Sequence, residues 1–418
     1  MDTNSTDEES TAEDIFDTGP PTGTFFFADA LVKARKQAGR GAFGVLADVI
    51  WLSIKKRKMM NAQDYFTHRM FELGPDKKNA MLNFIADEER ATLNRAINFR
   101  TLSDHVITDK FFLEIVLRRF GIPVATTQNV FIDRTMPLPG HINERAVAKE
   151  FLRNEAKYPI FCKPADSSMS LGVASIEFYD NSDDTLVRSG GGRTDLSTFV
   201  EAAFDTFGEK GYLIQRKLRP HPALREVCGD TVGCARIVTV TENGRTEPLY
   251  AMWKIPAVGA IADNLWREGN MRAEIDVESG EVLRCFRGNG VDREVIEEHP
   301  DTERSLLKLQ LPDWEKTLEV VRQAGGLMKN TVIIGWDVAM CEQGPVIVEA
   351  NNSPDHGLHQ LATGVGIFST EAGNKLKALQ RQAQQLIEDT KSAKRRAKRE
   401  HMKKRRERAL AEGFKVND

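Results

Sequence analysis

Between Thr24 and about Arg100, apolar residues recur mostly at intervals of three and four: Leu31 and Ala34, then Leu46, Val49, Ile50 and Ile54. That period predicts helices, and strand-like alternation is nearly absent there. The aromatic-rich stretch from Tyr65 to Phe71 belongs to the same helical region. A further helix is predicted from Ser103 or Asp104 as cap, with Phe111, Ile115, Val116 and Phe120 facing inward, ending at Gly121-Ile122-Pro123. Beyond it the pattern changes to short apolar runs separated by turn residues. VATTQNVFI, YPIFCKPA, VASIEFY, GYLIQRKL, GCARIVTVT, PLYAMWKI, EIDVESGEVL, VIIGWDVAM and PVIVEAN all read as strands. Helices are predicted among them at Ala146 to Glu155, Leu196 to Phe207 and Trp314 to Met328. The class is therefore α+β, with largely antiparallel sheets and no internal repeat.

Composition adds bounds to this picture. With 418 residues, 28% charged and 41% hydrophobic, the chain is excluded from collagen-like, mucin-like and wholly disordered classes. The longest apolar run, Gly41 to Ile54, is interrupted by Asp48 and is shorter than the roughly 18 residues that argue for a spanning helix. The start lacks the basic and apolar regions of a secretory signal, so the expected location is cytoplasmic. Five scattered cysteines show no metal-like spacing and read as buried small apolar residues.

The net charge of −3 conceals a polarity. Seven acids and no Lys or Arg precede Pro20, which predicts an acidic disordered segment. From Lys391 to Arg408, eleven Lys and Arg face two Glu in a stretch free of Gly and Pro, which extends a helix beginning near Thr370. With only Ala393, Ala397 and Met402 as apolar positions, that stretch is not an amphipathic membrane helix. It reads either as a solvated extension or as a contact for an acidic surface: nucleic acid, anionic lipid or the protein's own amino terminus.

The strongest chemical pattern runs from Val332 to Pro354. Two apolar runs flank Glu342-Gln343-Gly344, predicting a hairpin centred on Gln343 whose paired residue numbers sum to 686. Asp337 then lies opposite Glu349, and Asn351 shares the face of Glu349. Opposed carboxylates repel. Either a divalent ion with hard oxygen ligands neutralises them, magnesium being favoured over zinc in the absence of nearby His or Cys on that face, or one carboxylate reaches solvent or an arginine.

These residues resemble the ATP-grasp superfamily, whose metal strand pair reads Asp, about a dozen residues, then Glu-x-Asn. Gly335-Trp-Asp-Val-Ala, Gly344-Pro-Val-Ile-Val-Glu, His299-Pro-Asp-Thr, Leu311-Pro-Asp-Trp and Asp263-Asn264 more narrowly resemble its sugar-transfer-associated branch, close to α-L-glutamate-ligase-like proteins. The resemblance covers roughly Tyr65 to Gln360 and implies two α+β subdomains clasping ATP. It implies a division into an acidic tail (1–20), a helical region (21–102), amino-terminal and small subdomains with phosphate loop and hinge (103–222), a carboxy-terminal subdomain with the metal hairpin (223–372) and a basic helical tail (373–418).

Residue by residue, the resemblance implies that Lys110 and Lys163 meet nucleotide phosphate, with Ser167, Ser168, Ser170 and Gly172 in the phosphate loop. Such a loop lets backbone N–H groups approach phosphate. Gln215 and Lys217 fall in the adenine hinge, where the family commonly has Glu in place of Gln215. Arg236 matches the arginine that holds the γ-phosphate and the developing acyl-transfer charge; read from its strand alone, it is equally a cross-strand ion pair. Asp337, Glu349 and Asn351 match the ligands of magnesium, two ions with manganese as a substitute. Asn264, Arg267, His299, Asp355 and Gln360 flank matched motifs as acceptor-site candidates, although relatives tend to show Gly-Gly after Asp-Asn where this chain has Trp266 to Asn270. The implied activity is ATP-dependent carboxylate–amine ligation through an acyl phosphate, joining an amino acid to a peptide, amino sugar or similar acceptor, with Arg236 and Lys163 as catalytic groups. The alternatives are phosphoryl transfer without ligation and a non-catalytic ATP-binding protein docked to an acidic polymer or membrane by its basic tail.

Overall fold

The computed structural model describes residues 15–16, 25–74, 76–133, 139–166, 171–264, 267 and 269–411. Helices α1 (Phe27–Ala38), α2 (Ala42–Lys55), α3 (Ala62–Thr67), α4 (Lys77–Leu82) and α5 (Asp87–Ile97) form the amino-terminal region, as the three-and-four spacing predicts. Asn61 and Asp64 close a reciprocal cap at the start of α3, satisfying two end amides at once. The aromatic stretch then supplies the small core of this region, where Tyr65, Phe66, Met70 and Phe71 pack with Phe84. Each such buried side chain contributes about 1.5–3 kcal/mol.

The helix predicted from Ser103 is two helices, α6 (Asp104–Thr108) and α7 (Lys110–Arg119). Asp109 divides them: its Oδ1 accepts from the N–H groups of Phe111 and Phe112 at 2.9 and 3.0 Å, capping α7. The new start resets the buried face. Leu113 and Leu117 point inward, whereas Ile115 and Phe120 are exposed.

The first sheet has strand order β2 (His141–Ile142), β1 (Thr127–Phe131), β7 (Tyr212–Arg216), β3 (Ile160–Pro164), β4 (Ala174–Asp180), β5 (Thr185–Arg188), β6 (Arg193–Asp195). Only β1 and β2 run parallel in it. Helices α8 (Arg145–Asn154) and α9 (Leu196–Phe207) cover one face, burying Phe151, Phe199 and Phe204 against Ile160, Ile176 and Tyr212. Ile15 and Phe16, inside the acidic segment read as disordered, also join this core. The Phe16 ring lies 5.1 Å from Phe207 and 5.4 Å from Tyr212.

After α10 (Pro222–Cys228), the second sheet is antiparallel throughout. Its order is β12 (Glu294–Ile296), β11 (Val282–Arg287), β10 (Met271–Ile275), β9 (Arg245–Ile255), β8 (Cys234–Glu242), β13 (Ile333–Cys341), β14 (Gly344–Asn351). Helix α11 (Trp314–Leu327) seals one face. Alternation along each strand decides what meets it: Ala235 and Ile237, Ala251 and Trp253, Met271 and Ala273, Trp336 and Val338 all join that core. The intervening residues Arg236, Lys254, Arg272 and Asp337 therefore share the opposite face.

Helices α12 (His356–Thr363) and α13 (Glu371–Ala411) close the described chain. Leu376 and Leu379 in α13 pack beside Leu93 and Ile97 of α5, whereas the basic turns from Lys391 onward are exposed. No described helix is long and apolar enough to cross a membrane.

Candidate functional site

A cleft of about 950 Å3 opens between the two sheets, and residues from both sheets, from α5 and from α12 line it. Its chemistry is set first by the β13–β14 hairpin. The turn contains two residues, Glu342 and Gln343, because Cys341 pairs with Gly344; that register alone would pair Asp337 with residue 348. A bulge inserts Val348 as an extra residue, so Val338 opposes Ile347 while Asp337 opposes Glu349 and Gly335 opposes Asn351. The predicted pairing thus holds at the carboxylates, but by a different route. The bulge also sends Ile347 and Ala350 to the apolar core and leaves Glu349 and Asn351 on the cleft. Without it, Glu349 would share the parity of Ile347 and face that core.

Asp337 is 2% exposed and does not face its neighbour unpaired. Arg236, directly opposite on β8, engages both carboxylate oxygens, with Nη2 at 2.9 Å from Oδ2. Lys254 adds a contact of 3.0 Å to Oδ2 and reaches Asp263 at 3.2 Å. Burial by itself would raise the Asp337 pKa, but Arg236 and Lys254 outweigh it and hold the carboxyl well below the usual range. Burial likewise works against the Lys254 ammonium, and the two aspartates overcome it. The cross-strand ion pair named as one reading of Arg236 is therefore present.

Glu349 keeps a quarter of its side chain exposed and sits among cations at longer range. Lys110 Nζ and Arg236 Nη2 are each 3.8 Å from its carboxylate. Lys110 opens α7, and its backbone N–H donates to Ala165 O just beyond β3. Lys163, on β3, donates to the carbonyl of Val348 at 3.3 Å, so the bulge also anchors this lysine across the cleft. Burial, then the charge of Lys110, push the Lys163 pKa down to about 8, against the pull of Glu349.

Toward the first sheet, Gln215 donates to Thr127 Oγ1 at 3.0 Å, and Lys217 pairs with Glu177 at 2.6 Å; both line the cleft with Phe161 and Val173. Gly172 holds φ +78°, and its carbonyl accepts from Tyr212 Oη at 2.9 Å. Ser167, Ser168 and Ser170 lie outside the described residues.

The acceptor-site candidates divide. Asn264 and Asp355 line the cleft. Asp355 also caps α12 through Gly357 N–H at 2.8 Å and lies 3.6 Å from Arg90 Nε. Arg267 is not among the cleft-lining residues; its N–H donates to Asn264 O at 3.1 Å. His299 is fully buried away from the cleft, its Nε2 3.0 Å from Pro256 O and its Nδ1 meeting the N–H of Asp301. Gln360 is a clamp between regions: Oε1 accepts from Ile85 N–H at 2.8 Å, and Nε2 donates to Ile85 O at 3.1 Å. Both residues have their polar atoms committed to backbone, and neither is among the cleft-lining residues.

Among the lining residues that escaped the sequence reading are Arg90, Lys254 and Arg272. Extending the hairpin register outward finds two of them, because Asp337 pairs with Arg236, Arg236 with Met252, and Lys254 with Arg272. Arg90 carries no such signal, since α5 reaches the cleft only by packing of the whole helical region.

Among the described residues no three His, Cys, Asp or Glu side chains converge as a metal cluster. The hairpin offers two carboxylates and an amide, and the Asn351 Nδ2 atom is buried with no hydrogen-bond partner.

The family described as sugar-transfer associated ATP-grasp matches residues 88–376, more than half of the chain. No curated protein matches. Similar solved structures include the D-alanine–D-alanine ligase of Coxiella burnetii, at 10% identity and TM-score 0.39 over 70% of this chain and 62% of that one. The ligase of the same name from Bacillus anthracis gives 14% identity and TM-score 0.35 over 69% and 71% of the two chains. Campylobacter jejuni biotin carboxylase, solved as a β,γ-ATP complex, gives 12% and 0.37 over 66% and 46%. On the extent of the family match, the chain belongs to the sugar-transfer-associated ATP-grasp family.

Proposed function

We propose that this protein is an ATP-dependent ligase that activates a carboxylate as an acyl phosphate and transfers the acyl group to an amine. The observation that carries this reading is that Lys110 and Arg236 each stand 3.8 Å from Glu349, with Lys163 on the adjacent Val348 carbonyl, in a cleft lined by both sheets. Three cations around a carboxylate pair suit the polyphosphate of a nucleotide and the charge that develops when phosphate is transferred. Phe161 and Val173 offer apolar surface for the base beside the polar Gln215 and Lys217.

The donor set fits magnesium: two carboxylates and the Asn351 side-chain carbonyl offer hard oxygens, and Glu349 is partly open to the cleft. Asp337 directs three contacts to Arg236 and Lys254, and a carboxylate offers about four lone-pair positions. Asp337, Glu349 and Asn351 would hold the ion, which when bound neutralises phosphate charge. Lys110 and Lys163 orient the phosphates. Arg236 guides the carboxylate oxygen onto the γ-phosphorus as ADP leaves; the amine then attacks the acyl carbon, phosphate departs, and the amine loses its proton. No side-chain nucleophile is invoked, and the cleft-lining thiol of Cys234 is disfavoured as a thiolate because burial raises its pKa.

The test is ADP release from the purified protein with magnesium-ATP and pools of carboxylates, with and without amines, products read by mass spectrometry. An amide that requires both partners is the expected result. ADP release without any amide in every pool would replace ligation by phosphoryl transfer.

Affinity for magnesium-ATP should fall as pH rises through about 8, because Lys163 loses its charge there. Calorimetric titration between pH 7 and 9 checks this, with Lys163→Met expected to flatten the slope. An unchanged slope in that variant removes Lys163 from the phosphate contacts.

A further inference from the structure

Beyond Lys254 the cationic face of the second sheet continues to Arg272 on β10, in a direction the ATP-binding reading does not require. Arg272 is 2% exposed, yet it lines the cleft. Its guanidinium is held by neutral acceptors only: Nη1 donates to Asn289 Oδ1 at 2.9 Å, and Nη2 donates to the carbonyl of Gly288. Nε is buried with no hydrogen-bond partner. No carboxylate pairs with Arg272 among the described residues, in contrast to Arg236 and Lys254 on the same face.

The surroundings increase the deficit of negative charge. Burial, and then the charge of Arg293, push the Arg272 pKa down to about 10. Arg293 is itself depressed to about 10 by burial and by Arg69. Arg284 and Arg293 end on the carbonyls of Thr363 and Leu361 at the close of α12. Glu72 is paired with Arg69, and Asp87 and Asp355 stand beside Arg90; burial raises the Glu274 pKa, with Arg284 pulling against it, and no ion pair joins Glu274 to Arg272 among the described residues. A buried arginine without a counter-ion is costly unless something else supplies the negative charge.

We propose that the part of the cleft lined by Arg272 and Asn289 is a subsite for a second anionic group of the substrate, a carboxylate or phosphate, with Arg272 as its anchor and Asn289 beside it. This rests on the ligase reading for the identity of the first, reacting carboxylate. The subsite is separated from Arg236 by two strands and two residues along the sheet, roughly 12 Å between Cα positions at ordinary sheet spacing. The substrate carries its two anions on a spacer of several bonds. Monoacids of the same length lack the group that neutralises Arg272 and should be rejected.

Two readouts separate this inference from the ligase reading. The first is thermal denaturation of the full chain in saturating magnesium-ADP, with dicarboxylates from succinate to suberate, each against the monocarboxylate of equal length, and with inorganic phosphate, all at matched ionic strength. A dicarboxylate or phosphate should raise the midpoint by about 2 °C more than its control. The effective probe tells carboxylate from phosphate chemistry. Arg272→Met should abolish the difference and, without ligand, should melt no lower than the parent, because an uncompensated buried charge is gone; a purely structural arginine predicts a loss. Asn289→Asp, which gives Arg272 an internal carboxylate, should abolish the response with the arginine still in place.

The second readout is ADP release with the same acid pairs and amine pools, where the diacid or phospho-acid should be preferred by about a hundredfold in kcat/KM, falling to within tenfold in Arg272→Met. An Arg272-dependent thermal response without turnover would defeat the ligase reading and leave the subsite standing. Turnover that ignores the second anion, or probes that act equally on the parent and both variants, would overturn the subsite.

Discussion

Glu349→Gln is expected to lower magnesium-dependent ADP release by about a thousandfold, while Asp337→Asn is expected to lose both turnover and stability. The difference follows from what each carboxylate touches. Glu349 is partly exposed, with its nearest cations 3.8 Å away, so neutralising it leaves no tight ion pair broken. Asp337 is buried and holds Arg236 and Lys254 at once. Its loss strands two buried cations and should cost about 3–5 kcal/mol.

The pH dependence has a definite sign. Because the folded protein holds the Asp337 pKa below its unfolded value, this stabilisation is complete above about pH 4 and is lost only as acid approaches the lower folded value. ADP release and thermal melting of the two variants, measured side by side, check the prediction. A Glu349→Gln protein that turns over within twofold of the parent would sink the metal assignment. Unchanged melting of Asp337→Asn would show that the ion-pair frame contributes little.

The second large effect is expected at Gly172. Its φ of +78° is disfavoured for a side-chain-bearing residue, and an added Cβ would lie 2.5 Å from Phe207 Cζ and 2.9 Å from Pro164 Cγ. Strain and overlap together should cost Gly172→Ala about 2–5 kcal/mol. The same change should raise the KM for ATP, since Gly172 closes the predicted phosphate loop and Tyr212 fixes its carbonyl. Adding Phe207→Ala relieves the ring contact alone, so partial recovery is expected in denaturant titration. Full stability in the single variant would mean that the turn moves freely to accommodate the methyl group.

Much of the architecture was legible because it is locally encoded. Alternation in GCARIVTVT and VIIGWDVAM announces strands, and the turn between the runs at Val332 and Pro345 announces their pairing. The helix from Ser103 was misread at Asp109, where a side-chain cap outweighs the apolar period and starts a new helix. The hairpin centre was displaced for a comparable reason: a two-residue turn and a bulge at Val348 yield the same partners for Asp337 and Asn351 as a symmetric loop would. The backbone partners of His299 and Gln360 were not legible, because sequence position carries no information about which backbone groups claim a side chain.

By itself, then, the sequence determined the helical amino-terminal region, the strand-rich middle and carboxy half, and the facing of Asp337 and Glu349. These depend on periods of two and of three to four residues, which any short segment displays. The tertiary structure alone decided that Lys254 completes the Asp337 ion pair, that α5 brings Arg90 to the cleft, and that Arg272 is buried without an acid. Such placements join residues up to hundreds of positions apart, and burial and charge compensation exist only after whole elements have packed.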